Sequence, residues 1–143
     1  MKPNFAYDDI GQKEGHFQNY AEYSKTLRAW LVAYGIGGPV LFVTNEKIAA
    51  RVSTSPFAGQ IVTAFLVGVA LQIALALINK WGAWHMYAGA GDPGYQGSWR
   101  YKFWHFINAQ SWIDFWLDVG TLVAFLFATW RVISIFLTPA AAT

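Results

Sequence analysis

Three long apolar blocks alternate with polar segments along the chain. The middle block, residues 57–78, contains no charged residue, which is rare in a soluble helix. About 20 apolar residues are enough for a helix to cross the hydrocarbon core of a bilayer. The pattern therefore predicts an all-α integral membrane protein with three transmembrane helices, at about 27–44, 57–79 and 113–137. A soluble bundle of unusually apolar helices is the alternative.

The polar segments before the first two spans carry signals of their own. Residues 1–23 are polar and aromatic, and they predict an N-terminal segment at the cytoplasmic interface that contains a short helix. The Gly-Gly-Pro step at 37–39 predicts a kink near Ile36, because proline removes a backbone donor and clashes with the preceding turn. Ser55 and Pro56 predict the start of the second span, as a hydroxyl cap followed by proline at the first helical position.

The segment 81–112 forms a long aromatic connection before the third span. Its first part, 82–98, is rich in glycine and contains a strong turn signal at 92–94. Its second part, 99–112, predicts an amphipathic helix with basic and aromatic residues, suited to lie in the headgroup region. The aromatic residues predicted at the membrane interface are Trp81, Trp84, Trp99, Phe103, Trp104, Phe106 and Trp112.

Composition supports this interpretation and narrows the classes of partner. Apolar residues are 55% of the 143 residues and charged residues 13%, about half of the charged share in soluble domains. This length indicates one domain, 1–143. The chain has no cysteine, which excludes disulfides, thiolate catalysis and cysteine-bound metals. A formal net charge of +2 is too small to indicate nucleic acid, so the predicted partner is the lipid bilayer.

The distribution of cationic residues predicts the orientation. Seven of the ten Lys and Arg residues fall on the side that holds the N-terminus and the aromatic connection. Cytoplasmic loops carry the excess of Lys and Arg. We therefore expect the N-terminus in the cytoplasm and the C-terminus outside, in a bacterial inner membrane.

Each span carries small or amide side chains at every fourth position, which lets helices approach closely where lipid supplies no hydrophobic drive. These ladders are expected to pack the three helices together, and a surface left over would support homo-oligomers. The two glutamines are expected to hydrogen-bond between helices, with a pore lining as the alternative. The ladders consist of Ala29, Ala33 and Gly37 in the first span, Gln60, Ala64, Gly68, Gln72 and Ala76 in the second, and Gly120, Ala124 and Ala128 in the third.

The third span is unusual because it carries Asp114, Asp118 and Arg131. Asp118 and Arg131 lie about 20 Å apart along the helix axis and cannot pair within it. Helical geometry places Arg131 with the small residues on a protein-facing side, and most bulky residues on a lipid-facing side. The aspartates either favour the helix N-terminus at the interface, or they form a wet acidic ring or a partner for a cation or a basic residue. The bulky residues that depart from this division are Phe125, Val132 and Phe136.

No constellation indicates catalysis or a cofactor. His16, His85 and His105 are predicted outside the bilayer core, and no two share a helix at metal-ligand spacing. We therefore predict no metal, no cofactor and no enzymatic activity.

Three functions remain open on this basis. A homo-oligomeric channel or pore-forming subunit is favoured by the polar face of the third span, the two glutamines and the interrupted first span. A non-catalytic accessory subunit would instead dock on a larger membrane complex through the ladders and the aromatic helix. A membrane enzyme or cofactor-binding subunit that uses residues 82–112 is the third possibility.

Overall fold

The computed structural model describes the backbone of residues 5–137 and the side chains of residues 18–137. This part of the chain is all-helical and contains no strand. Three of its helices are long and apolar enough to cross a membrane, and their candidate spans are Gln18–Thr44, Ala58–Gly91 and Ser111–Leu137. The predicted helical class and the number of candidate spans are therefore confirmed.

Six helices follow one another along this part of the chain. They are α1 (Phe5–Thr44), α2 (Glu46–Ser53), α3 (Ala58–Gly91), α4 (Pro93–Gln96), α5 (Trp99–Asn108) and α6 (Ser111–Leu137).

The helix α1 joins the N-terminal segment to the first span without a break. It runs for 40 residues and includes Pro39, so the predicted short N-terminal helix is part of the span helix. Residues 1–4 of the predicted N-terminal segment lie outside the described residues. The kink near Ile36 stays a prediction.

The predicted polar connection between the first two spans contains the short helix α2. Asn45 caps it, because its Oδ1 accepts a hydrogen bond from the Ile48 backbone nitrogen at 3.2 Å. Ser55 then accepts from the Phe57 nitrogen at 3.1 Å, which orders the turn before α3. The hydroxyl of Ser55 thus acts where the sequence indicated, although α3 begins only at Ala58.

The helix α3 continues far beyond its apolar block, to Gly91, so the prediction of a turn-rich segment from residue 82 onward was wrong for its first part. Its glycines serve packing instead: a Cβ at Gly89 would overlap the Tyr101 ring, and one at Gly82 would lie 3.4 Å from Asn108 Oδ1. Close packing against α5 offsets the helix-propensity cost of about 1 kcal/mol per glycine. The chain reverses at Asp92, as its turn signal indicated, and Asp92 caps α4.

The helix α5 returns antiparallel along α3. Asn108, Trp104 and Tyr101 follow one another on α5 and meet successive positions of α3 from Gly82 to Gly89. Of the segment 99–112 that was predicted as an amphipathic helix, residues 99–108 form a helix. Its axis lies along α3, whereas a helix in the plane of a membrane would lie across a spanning α3.

The interior between the long helices is apolar and aromatic. Phe65 and Phe125 pack with ring centroids 5.7 Å apart, and both are buried. Close approach depends on Gly35 and Gly68, where a Cβ would collide with the Phe125 ring. The buried core cluster comprises Leu31, Ile61, Phe65, Phe125, Ala128 and Val132.

Candidate functional site

Five polar side chains from three helices meet near one end of the apolar region, and we call them the polar cluster: Arg28, Gln72, Asp114, Asp118 and Thr121. Arg28 on α1 lies between the two aspartates of α6. Its Nε donates to Asp118 Oδ2 at 3.4 Å, and its Nη2 lies 3.2 Å from Asp114 Oδ2. One guanidinium faces two carboxylates, so the three groups carry a formal charge of −1.

The contacts of Arg28 with the two aspartates are ion pairs with poor hydrogen-bond geometry. Nη2 of Arg28 is buried and has no hydrogen-bond partner, so its contact with Asp114 is an ion pair without hydrogen-bond alignment. The Nε bond of 3.4 Å is longer than the usual range for N–H···O bonds. The side chains of Arg28 and Asp114 keep 26% and 27% of their surface exposed, which allows water to complete their solvation.

Gln72 on α3 completes the cluster from the third helix. Its Nε2 donates to Asp118 Oδ1 and to Thr121 Oγ1, both at 3.0 Å. The Thr121 hydroxyl can in turn donate to the Leu117 carbonyl oxygen at 2.9 Å. Gln72 and Thr121 are almost fully buried, and a buried polar group costs free energy unless it is hydrogen-bonded. The predicted role of Gln72 as a hydrogen-bonding link between helices is therefore confirmed, whereas Gln60 is exposed.

A polar cavity of about 490 Å³ adjoins the cluster. It lies between α1, α3 and the junction of α5 with α6, and Arg28 and Asp114 line it together with Lys25, Asn79 and Asn108. The walls come from the positions where the apolar blocks give way to polar sequence, since Asn79 follows the second block and Asp114 stands at the start of the third. Asp114 thus lies in the first turn of α6, and both aspartates contact a basic residue, Arg28.

Arg131 lies near the other end of α6, as its spacing from Asp118 predicted. Its guanidinium carbon sits 4.5 Å from the centroid of the Phe57 ring and 5.1 Å from that of Phe127. Its Nε is buried without a hydrogen-bond partner. Arg131 therefore faces protein, and its charge is stabilised by aromatic faces.

The three small-residue ladders differ in what they contact. Gly68 and Ala128 are buried between helices, as predicted. On α1, by contrast, the whole ladder is exposed: Gly37 has nothing within 4 Å of a Cβ position, and Gly35 and Gly38 face the core instead. The expectation that the α1 ladder packs the three helices together was therefore wrong.

Burial along α6 agrees with the two predicted faces. Phe125 and Val132, two of the bulky residues that departed from the division, are buried in the core, while Phe136 is exposed. Bulky residues that stay exposed on the opposite side include Leu122, Val123, Leu126, Trp130, Ile133 and Leu137.

The aromatic residues of the connection divide into a packed set and an exposed set. Trp104 stacks on His85, with centroids 5.5 Å apart, and His85 Nδ1 is 2.5 Å from the Tyr95 hydroxyl oxygen. His85 is buried by this packing, although its predicted place was a turn. The exposed aromatic residues are Trp81, Trp84, Tyr87, Trp99, Phe103, Phe106 and Trp112.

Sequence reasoning missed three residues of these sites. Arg28 lies near the start of the first apolar block, and a cation near the apolar boundary of one helix can meet carboxylates at the same boundary of another. Thr121 carries no sequence signal that distinguishes it from the other small residues of α6. His85 could have been noticed from the glycines that lie three residues before it and four residues after it.

No group of three or more His, Cys, Asp or Glu side chains within residues 18–137 could hold a metal ion. Comparison with protein-family models, curated proteins and solved structures finds no match for the chain.

Proposed function

We propose that the chain is an integral membrane protein that assembles with copies of itself into a channel or pore. The observation that carries this proposal is a groove of about 550 Å³ on the outer seam of α3 and α6. Gly59, Ala64, Gly120 and Ala124 line it, and Gln60 is exposed beside them. Small side chains let helices of another copy approach closely. An amide within a membrane span is stabilised when it hydrogen-bonds to a protein partner.

The interior of one chain supports conduction between copies rather than through the monomer. Beyond the polar cluster, the space between the helices is filled by the rings of Tyr34, Phe65 and Phe125. The Tyr34 hydroxyl also contacts Thr129 Oγ1, which ties α1 to α6 at this level. A path for ions therefore lies where copies meet, and Gln60 and Thr63 supply polar atoms at that surface.

Assembly is tested by filling the groove. Ala64→Trp places an indole in it, while Ala70→Trp adds the same volume at an exposed position of α3 that lies outside it. We expect wild type and Ala70→Trp to have the same oligomeric mass in lipid nanodiscs, and Ala64→Trp to shift towards the monomer. A monomeric wild type would contradict the proposal.

Conduction is tested separately with the same variants in liposomes loaded with a fluorescent indicator of monovalent cations or of chloride. We expect wild type and Ala70→Trp to dissipate an ion gradient and Ala64→Trp to lose this activity. An oligomer that passes neither cations nor chloride would contradict the proposed channel activity, and only the proposed self-assembly would stand.

A second candidate is a non-catalytic accessory subunit, and the exposed aromatic residues favour it. The hairpin of α3, α4 and α5 exposes Tyr87 by 81%, Trp99 by 75% and Phe106 by 61%. Exposed apolar patches of this kind mark interaction surfaces. A membrane partner that co-purifies with wild type, and is lost from Tyr87→Ala and Trp99→Ala while the oligomeric mass is unchanged, would favour this function over the channel.

A further inference from the structure

Three cavities follow one another along the seam between α1 and α3. The polar cavity of about 490 Å³ shares Arg28 and Asn79 with a groove of about 550 Å³. That groove shares Val32, Gln72 and Ala76 with an apolar pocket of about 270 Å³. The three spaces therefore form one elongated site that is polar at one end and apolar along the rest.

The polar end offers one cation and one carboxylate to a ligand. Lys25 is exposed and forms no ion pair within residues 18–137. Asp114 forms its ion pair with Arg28 through Oδ2, and its Oδ1 accepts no hydrogen bond within residues 18–137. The amides of Asn79 and Asn108 add neutral hydrogen-bonding groups to the same walls.

The apolar end has the shape and chemistry of a surface for an acyl chain. Ala29, Ala33 and Ala76 keep the groove shallow and free of bulky side chains, and all three are exposed. Leu31, Ile73 and Phe125 continue the apolar wall into the third pocket. Ala29 and Ala33, the exposed ladder residues of α1 that line this groove, would then contact the acyl chain.

We propose that this seam binds one glycerophospholipid whose headgroup carries a phosphate and a primary amine, of the phosphatidylethanolamine type. The phosphate pairs with Lys25, the ammonium group donates to Asp114, and one acyl chain follows the groove past Ala76. Charge favours this class: Lys25 and Arg28 against Asp114 and Asp118 sum to zero, which suits a zwitterion better than an anion.

The proposal is tested by native mass spectrometry of the protein released from detergent after incubation with defined lipids. We expect phosphatidylethanolamine to saturate at one molecule per chain. Phosphatidylcholine, whose methylated ammonium cannot donate hydrogen bonds, and phosphatidylglycerol, which lacks the amine, should bind about tenfold more weakly. Equal binding of the three lipids would overturn the assignment of the headgroup.

Two variants, each with a matched control, examine the two parts of the site. Ala76→Trp should abolish stoichiometric binding because it fills the groove, and Ala70→Trp should bind as wild type does. Lys25→Ala should weaken binding about tenfold, while Lys47→Ala, which removes an exposed cation from α2, should not. Wild-type binding by Ala76→Trp would overturn the acyl groove, and wild-type binding by Lys25→Ala would overturn the phosphate site.

Asp114→Asn distinguishes ligand recognition from support of the fold. It removes the acceptor for the amine and leaves Arg28 with only Asp118, so selectivity should shift from phosphatidylethanolamine to phosphatidylglycerol. General damage would instead lower binding of every lipid equally, and that result would contradict the proposed role of Asp114.

Competition with a soluble headgroup tests whether the site binds a membrane lipid or a free phosphate ester. Glycerophosphoethanolamine carries the same phosphate and amine without acyl chains, so it should fail to displace the bound lipid at equal concentration. Displacement at equal concentration would show that the apolar groove contributes nothing and would overturn the lipid as the occupant.

Discussion

At the scale of single residues, Arg28 decides the character of the polar end. Two carboxylates one helical turn apart would repel each other in a dry site, and the guanidinium of α1 removes that repulsion. Gln72 donates to the remaining oxygen of Asp118, whose side chain is only 13% exposed, and also to the hydroxyl of Thr121. The cluster therefore links three helices through two ion pairs of Arg28 and the hydrogen bonds of Gln72.

Removal of Arg28 should destabilise the protein because it leaves both carboxylates without their cation. We expect Arg28→Ala to lower the free energy of unfolding by about 1–3 kcal/mol. The value lies below that for a fully buried pair, since Arg28 and Asp114 are about a quarter exposed. The free energy of unfolding is measured by denaturation with sodium dodecyl sulfate in mixed micelles, monitored by tryptophan fluorescence.

Two further variants show whether charge is the cause. Arg100→Ala removes an exposed cation of α5 and should leave stability unchanged. Addition of Asp114→Asn and Asp118→Asn to Arg28→Ala should restore part of the loss. A triple variant less stable than Arg28→Ala alone would contradict the electrostatic explanation.

At the scale of the helices, position on a face decides what a small residue does. Gly37 and Gly68 belong to ladders of the same period, but the phase of each helix about its axis places Gly68 against Phe125 and Gly37 in the open. Small residues therefore act in two ways here: some admit a neighbouring ring, and others leave a groove.

This difference gives a matched pair of substitutions. Gly68→Ala should destabilise the protein by about 1–3 kcal/mol, because a new Cβ collides with the Phe125 ring in a closely packed core. Gly37→Ala meets nothing within 4 Å and should be neutral or stabilising by up to about 1 kcal/mol through helix propensity. The same denaturation measurement compares them, and equal effects at the two sites would refute the assigned helix faces.

The same contrast explains how much could be predicted from the sequence. The apolar blocks, the amphipathic helix at 99–108 and the faces of α6 follow from local composition and period, so they were accessible. The partner of Asp118 is 90 residues away on α1, and the extension of α3 depends on Tyr101 and Trp104 of another helix. The helical repeat in a sequence identifies the residues that share a face of one helix. It does not identify the neighbouring helix that this face contacts.

At the scale of the whole molecule, the length of α3 sets the layout. Its 34 residues extend about 51 Å, well beyond a hydrocarbon core of about 30 Å. The apolar part ends at Ile78, so in the proposed membrane arrangement the remaining turns of α3 extend beyond one side of the bilayer together with α4 and α5. The polar cluster and its cavity lie at the base of this projection, where the span meets the headgroups in the proposed membrane arrangement.

If α5 projects into water, Trp99 should be accessible to a water-soluble reagent, whereas an α5 at the membrane interface would not make Trp99 accessible. Tyr101 packs on Gly89, which lies about 15 Å along α3 beyond Asn79, so Trp99 should be in water. Because the chain has no cysteine, single substitutions can be labelled without background. In proteoliposomes that are permeabilised so that the reagent reaches both sides of the membrane, Trp99→Cys should react with a charged, water-soluble maleimide as fast as it does in detergent. Leu126→Cys, on the exposed apolar face of α6, should be protected by lipid, and comparable protection of Trp99→Cys would instead place α5 within the bilayer.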